Sequence, residues 1–384
     1  MPLYPFLQSL FYRPGMSDEA FFVRGKYVNL IVSLILLTGL TFIFFRFFHW
    51  LHTVNLVLIV AFTVFIFKAG YFQTELLFYF INFCLFLLML RLLQQPSCLL
   101  ATLTGIVAGL AHLTKASIIP GLVLFLLFMG IQGAWTLYQY HRSATRVIFD
   151  KSFTSYFLAI VLVGLCFLIT VYPYISTSKR VFGSYFYNVN STFYVWYDSW
   201  EEAKYGTKKH GDRFGWPNMP PEKIPNMSKY LREHTLQQIL ARFQNGGQRV
   251  LHNVMSSYGY FKYTVIYFSL LIVAIVWHLT RKRQILVANP ILCFFLLMYF
   301  VAYFLLYAWY AVIAEGNRLI LAQFLPLMFV ISLGLHKVLH SSQVKIGRYS
   351  VNALTATNLI IFAIIIVDIY FIITGRVHTM YGGM

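Results

Sequence analysis

The chain has 384 residues, of which 59% are hydrophobic and only 11% charged. A soluble domain does not need that much apolar surface, so the composition excludes an ordinary water-soluble enzyme before any motif is read. A net charge of +18 would suggest nucleic acid in a soluble protein, but much of it sits in short loops where the positive-inside rule places it, so the partners expected are membrane lipids and no nucleic acid.

In chain order, a basic leader with Arg13, Arg24 and Lys26 runs into an apolar stretch at 27–45, and further apolar stretches follow at 54–70, 74–93, 99–113, 117–133, 156–176, 263–280, 289–313, 319–335 and 353–374. Most have the roughly 17 to 25 residues a helix needs to cross about 30 Å of hydrocarbon. The expected fold is all-α: a polytopic membrane protein of about ten spans, with transmembrane helices in 1–176 and 263–384 and one long extracytoplasmic segment, 177–262, between them. Cys84, Cys98, Cys166 and Cys293 lie in or beside the spans without metal or disulfide spacing and read as packing residues.

Charges at the ends of such spans are informative, because one at mid-bilayer costs about 2.5 to 3.5 kcal/mol. Lys68, near the end of the second span, reads as a snorkelling side chain. Glu75 opens the third in Tyr71-Phe72-Gln73-Thr74-Glu75, directly after a hairpin-like turn; its plain reading is a carboxylate favoured by the helix dipole. Lys115 ends the fourth in His112-Leu113-Thr114-Lys115, with Pro120 starting the next span, and snorkelling is again the plain reading. Arg318 follows Glu315 and Asn317 in a turn between two apolar runs, where a local pair with Glu315 is the plain reading. The functional reading of Glu75, Lys115 and Arg318 is substrate binding, since outer cations over an apolar groove suit an anionic headgroup on a long lipid tail, phosphate above all.

The long segment is rich in aromatics, among them Tyr185, Tyr187, Tyr194, Trp196, Tyr197 and Trp200. Trp216-Pro217 and Met219-Pro220-Pro221 read as an irregular loop, after which Leu231, Leu236, Ile239, Leu240, Phe243, Val250 and Leu251 recur at helical spacing, as amphipathic helices on the membrane surface would have it. Asp198, Glu201, Glu202, His210 and Asp212 read as a solvated face, with acceptor or cation binding as the alternative. Two sequons, Asn190-Ser191-Thr192 and Asn226-Met227-Ser228, agree with an outer location.

Placing the basic clusters at His141 to Lys151, Arg281 to Arg283 and Lys337 to Arg348 in the cytoplasm satisfies one topology, with both termini, the turns at Glu75, Lys115 and Arg318, and the long segment outside. All acidic residues except Asp150 and Asp368 then fall in outer loops or at outer helix ends, which makes the outer face the chemical one. Phosphate-binding glycine loops, HExxH and GxSxG are absent.

Several stretches occur in a recognisable order: Pro2-Leu3-Tyr4-Pro5, Thr74-Glu75, Gly105 through Leu113 leading into Thr114-Lys115, Tyr172-Pro173 before Lys179-Arg180-Val181-Phe182-Gly183, and Asn317-Arg318 with Pro326. In this the chain resembles the bacterial GT-C glycosyltransferases related to the protein O-mannosyltransferases (family 39-like) and the lipid A aminoarabinose transferases. The resemblance implies an inverting transfer of a sugar from a polyprenyl-phosphate donor to a glycan, lipid or protein acceptor, in a bacterial plasma membrane or, in a eukaryote, that of the endoplasmic reticulum. It also implies an aspartate base in the first outer loop, with basic side chains and in some members a divalent cation steadying the leaving phosphate. This chain begins at the proline-tyrosine-proline stretch that closes that loop, so the first helix and its aspartate are expected to be missing, through a truncated gene model or in an inactive protein. Asp18 and Glu19 fall after the loop and are not assigned as the base. Two other classes fit the composition: a transporter or lipid flippase, against which stands the lack of an inverted repeat, and a noncatalytic membrane partner.

Overall fold

The computed structural model describes residues 1–142, 151–188, 192–209, 224–280, 290–314, 316–340, 342–346 and 349–377. Within them the chain is almost entirely helical: α1 (Leu3–Ser9), α2 (Asp18–Phe47), α3 (Trp50–Val60, continued by one wide turn at Ala61–Phe65), α4 (Glu75–Gln94), α5 (Cys98–Thr114), α6 (Ile119–Arg142), α7 (Lys151–Phe182), α8 (Trp200–Lys209), α9 (Met227–Glu233), α10 (Leu236–Ser256), α11 (Tyr260–Thr280), α12 (Pro290–Tyr310), α13 (Leu321–Leu339) and α14 (Ala353–Phe371). Eight of these, α2, α4, α6, α7 and α11 to α14, are long and apolar enough to cross a membrane, and α3 and α5 are shorter apolar helices. The protein is thus an all-α, multi-pass membrane protein, and each apolar stretch of the sequence corresponds to one of these ten helices.

Helix ends follow local chemistry more closely than hydropathy does. Ser17 accepts a hydrogen bond from the Ala20 amide and starts α2 nine residues before the apolar stretch begins, with Asp18 and Glu19 in the favoured first turn. The second span ends earlier than hydropathy predicts: after Phe65 the chain turns, and the Asn29 amide donates to the Ala69 and Tyr71 carbonyls at 3.1 and 2.8 Å, satisfying groups that no helix pairs. α7 runs on through Lys179-Arg180-Val181-Phe182 and stops at Gly183, whose φ of +71° suits a residue without Cβ, so the start of the long segment is helical. Gln343–Ile346 and Tyr349–Asn352 pair as a short antiparallel hairpin, which places Lys345 on a strand where the sequence suggested only a basic loop; Arg348 lies outside the described residues.

The chain packs as two units. The first comprises Met1–Leu10, Ile81–Val254 and Ala288–Gln323. Its closest helix pair is α5 with α7, joined across Gly105 and Gly109. A Cβ at Gly105 would lie 2.6 Å from the Val163 carbonyl oxygen, and one at Gly109 would lie 2.5 Å from the Thr170 side chain. Small residues four apart let helix backbones approach and exchange dispersion contacts where lipid offers no hydrophobic drive, and this spacing fixes the short helix α5 in place. Along α12, Tyr299, Tyr303 and Tyr307 form a buried stripe one turn apart; the Gln323 amide reaches the Tyr307 hydroxyl at 3.3 Å, and Asn82 donates to the Ala322 carbonyl at 3.2 Å.

The second unit comprises Phe11–Phe80, Met255–Val287 and Phe324–Met384. Here α3 lies against α2 and α14. Asn55 donates to the Asn358 carbonyl and side-chain oxygen at 2.8 and 3.1 Å, a buried polar clasp between two apolar helices. Cys84 and Cys166 are half-buried as packing residues should be, whereas Cys98 and Cys293 are exposed near the starts of α5 and α12; no disulfide joins any of the four.

Candidate functional site

Outside the long helices, charge concentrates between α7 and α11, within the first unit. Two capping motifs written in the sequence start the helices there. Ser199 accepts from the Glu202 amide at 3.1 Å while the Glu202 carboxylate accepts from the Asp198 amide at 2.9 Å, so Glu202 caps the helix while lying, with Asp198 and Glu201, on an exposed face. Thr235 and Gln238 do the same for α10. Asn226, the asparagine of one sequon, caps α9 by accepting from the Lys229 amide, whereas Asn190 of the other lies outside the described residues, as do His210, Asp212, Glu315 and the Trp216 to Pro221 loop.

α10 is set against the end of α12 by Gly246, where any Cβ would run into the Ala308 carbonyl. That approach lets α10 donate to the unpaired carbonyls at the end of α12 and in the turn beyond: Arg242 to Trp309, Arg249 to Ala311 and Asn253 to Gly316. The buried face of α10 therefore carries Arg242, Gly246, Gly247 and Val250, while Leu236, Leu240, Leu251 and Met255 are exposed.

Arg242 is 5% exposed and nearly fully bonded. Its guanidinium donates to Asp198 Oδ1 at 3.0 Å, the Tyr230 hydroxyl at 3.1 Å and the Val195 carbonyl at 3.1 Å, and its carbon lies 4.2 Å from the centre of the Trp309 ring. Asp198, whose side chain is 49% exposed, also receives the Tyr230 hydroxyl at 2.9 Å on Oδ1 and His234 Nε2 at 2.8 Å on Oδ2. His234 Nδ1 lies 2.9 Å from the Tyr230 carbonyl, and its ring stacks on the Tyr230 ring at 3.9 Å.

Both His234 nitrogens thus face acceptors, and only the doubly protonated ring can donate to both. Burial opposes that charge, but the Asp198 hydrogen bond, the Tyr230 carbonyl and the Asp198 charge outweigh it and raise the His234 pKa above its usual value. Burial likewise raises the Tyr230 phenol, against the pull of Arg242, so it stays a donor to Asp198 at neutral pH. For a raised histidine, the stabilisation is full below the unfolded value of about 6.5 and is lost as pH rises through the folded value. Melting temperature is therefore expected to fall as pH rises above about 6.5, by the equivalent of no more than about 1 kcal/mol, as befits a half-exposed pair, and the slope should flatten in His234→Gln.

The residues singled out from the sequence occupy the helix ends expected of them. Glu75 is the first residue of α4 and is buried; Lys115 is the half-buried C-cap of α5; Arg318 is exposed in the turn before α13. Lys115 and Arg318 belong to the first unit and Glu75 to the second. Among the described residues no group of three or more His, Cys, Asp or Glu is spaced to hold a metal ion.

No family model, curated protein or solved structure matches the chain. The site must therefore be argued from its own geometry.

Asp368, which the sequence set apart from the acids of the outer loops and outer helix ends, belongs to a second charged cluster, within the second unit. Asp368, near the end of α14, accepts from Lys262 Nζ at 2.6 Å and from the Tyr263 hydroxyl at 2.7 Å, both at the start of α11. The signal was present in the sequence: a lone acid in one apolar stretch and a lysine directly before another form a complementary pair. Asp368→Ala is expected to lower the melting temperature in detergent by the equivalent of about 1 to 3 kcal/mol, because it strands the buried Tyr263 hydroxyl. Lys262→Met should cost less, since that side chain is 46% exposed.

Proposed function

We propose that the protein transfers a sugar from a polyprenyl-phosphate-linked donor to an acceptor hydroxyl on the extracytoplasmic face, with inversion at the anomeric carbon. The observation that carries this reading is the Asp198 cluster: a half-exposed carboxylate, fixed by Arg242 and His234, on the one long segment between apolar helices. The exposed leucine stripe of α10 and the resemblance of the ordered sequence stretches to those of GT-C enzymes support the same reading.

In this reading Asp198 accepts a hydrogen bond from the acceptor and orients it, because its own two oxygens are already oriented by charged donors. Lys115 and Arg318, in the same unit as Asp198, hold the donor phosphate. The acceptor oxygen bonds to the anomeric carbon as the bond from that carbon to the phosphate oxygen breaks. The electron pair leaves with the lipid phosphate, where cations stabilise the added charge. The acceptor proton passes to a base for which no residue of the chain is assigned.

Membranes containing the protein should incorporate labelled sugar from a polyprenyl-phosphate donor, and Lys115→Ala or Arg318→Ala should each slow turnover about a hundredfold, the scale of one lost transition-state contact. Unchanged turnover in both variants removes these residues from the site, and no incorporation from any such donor removes the function.

A further inference from the structure

At one end of the second unit, where α2 and α13 finish and α3 and α14 begin, lies a cavity of about 520 Å³ that the transfer reaction does not use. Arg46, His49, His52, His336 and His340 line it, with Phe45, and no carboxylate is among its lining residues. Since these are the ends of apolar helices, the cavity opens where hydrocarbon meets water. It is distinct from the Asp368 cluster, which is ten residues, or about 15 Å, further along α14 than Asn358, the last lining residue of that helix.

His52 is the informative group. It is 1% exposed, it stacks on Phe48 at 4.6 Å, and neither ring nitrogen has a hydrogen-bond partner. Nδ1 of His336, 6.3 Å away between ring centres, is likewise buried without a partner, and His340 follows 5.2 Å beyond. A buried imidazole with two unmet nitrogens is costly, and a ligand that accepts hydrogen bonds would relieve the cost. The N-terminus of α3 adds to this, because its N-cap His49 makes no side-chain capping bond and leaves first-turn amides pointing toward the same end. Arg46 supplies a full positive charge at the rim.

The donor set selects the ligand. Metal coordination needs three or more ligands converging on one point, and no such group occurs among the described residues. Imidazoles, a guanidinium and a helix N-terminus without an acid suit an oxyanion instead. The geometry points to a phosphate-binding site built from Arg46, His52, His336 and His340, filled by the phosphodiester of a membrane lipid whose tail lies along the exposed Phe42 and Phe45 face of α2.

The test uses the full chain in maltoside micelles, with melting temperature followed against dihexanoyl phosphatidylglycerol, dihexanoylglycerol, which lacks the phosphate, and inorganic phosphate. Phosphatidylglycerol should stabilise and dihexanoylglycerol should not, and Arg46→Gln, His340→Gln and the near-isosteric His52→Phe should each weaken binding about tenfold. Arg46 and His340 are exposed, so their variants leave the core intact. Stabilisation by inorganic phosphate at equal or lower concentration, lost in the same variants, supports the site with a free phosphate as its source. The proposal is overturned by equal effects of the two dihexanoyl compounds or by unaltered binding in the variants.

Discussion

Arg242→Met is expected to release the segment between α7 and α11 from the end of α12, at a cost of about 2 to 4 kcal/mol. The substitution fills most of the same volume, but it strands the Trp309 carbonyl, leaves the Val195 carbonyl with the Trp309 indole alone and removes the charged guanidinium from Asp198, which keeps Tyr230 and His234. Loss of the ring contact with Trp309 adds to this. The estimate is below that for a fully buried ion pair because Asp198 can turn toward water. Arg242→Lys should fall between, since an ammonium cannot reach four acceptors from one planar fork. The check is melting temperature and limited proteolysis of the segment, with Arg249→Met as the comparison. Arg249 is exposed and makes one bond to the Ala311 carbonyl, so its loss should cost at most about 1 kcal/mol. Equal behaviour of the two methionine variants would show that Arg242 does not hold the segment in place.

Leucine at Gly105 or Gly109 should have an effect of similar size, by a different route. Four-carbon side chains there meet the α7 backbone at Val163 and the Thr170 side chain, and a backbone carbonyl cannot rotate away. The helices would have to separate, forfeiting the contacts that hold α5, for about 2 to 4 kcal/mol. Gly109→Ala should cost about as much as Gly105→Ala, because the Thr170 Cβ, like the Val163 carbonyl, is fixed by the α7 backbone and no rotamer moves it. Gly164 on α7 meets nothing within 4 Å, so Gly164→Leu is the control for helix propensity and should leave stability nearly unchanged. The yield of monodisperse protein after detergent extraction, with its melting temperature, distinguishes these cases.

Much of the candidate site could be read in part from the sequence. The amphipathic period of α10 was visible, whereas the Ser199 to Glu202 and Thr235 to Gln238 caps went unread, although capping is a local pattern of four residues. The partners of Arg242 were not, since Asp198, Val195 and Trp309 lie 44, 47 and 67 positions away. An arginine between leucines on a surface helix reads as solvated until the glycine beside it is seen to admit another backbone. His52 was passed over for a similar reason: a lone histidine among apolar residues carries no sign of whether its nitrogens find partners.

The sequence by itself determined that the chain is a multi-pass helical membrane protein and roughly where each helix lies. Hydrocarbon leaves a backbone no other way to satisfy its polar groups, and apolar length is a local property. Tertiary structure decided which polar side chains are neighbours: Asp198 with Arg242 and His234, Lys262 with Asp368, and the histidines that line one end of the second unit. Those contacts join residues tens to hundreds of positions apart, and close approaches at single glycines set several of them, so no local pattern encodes them.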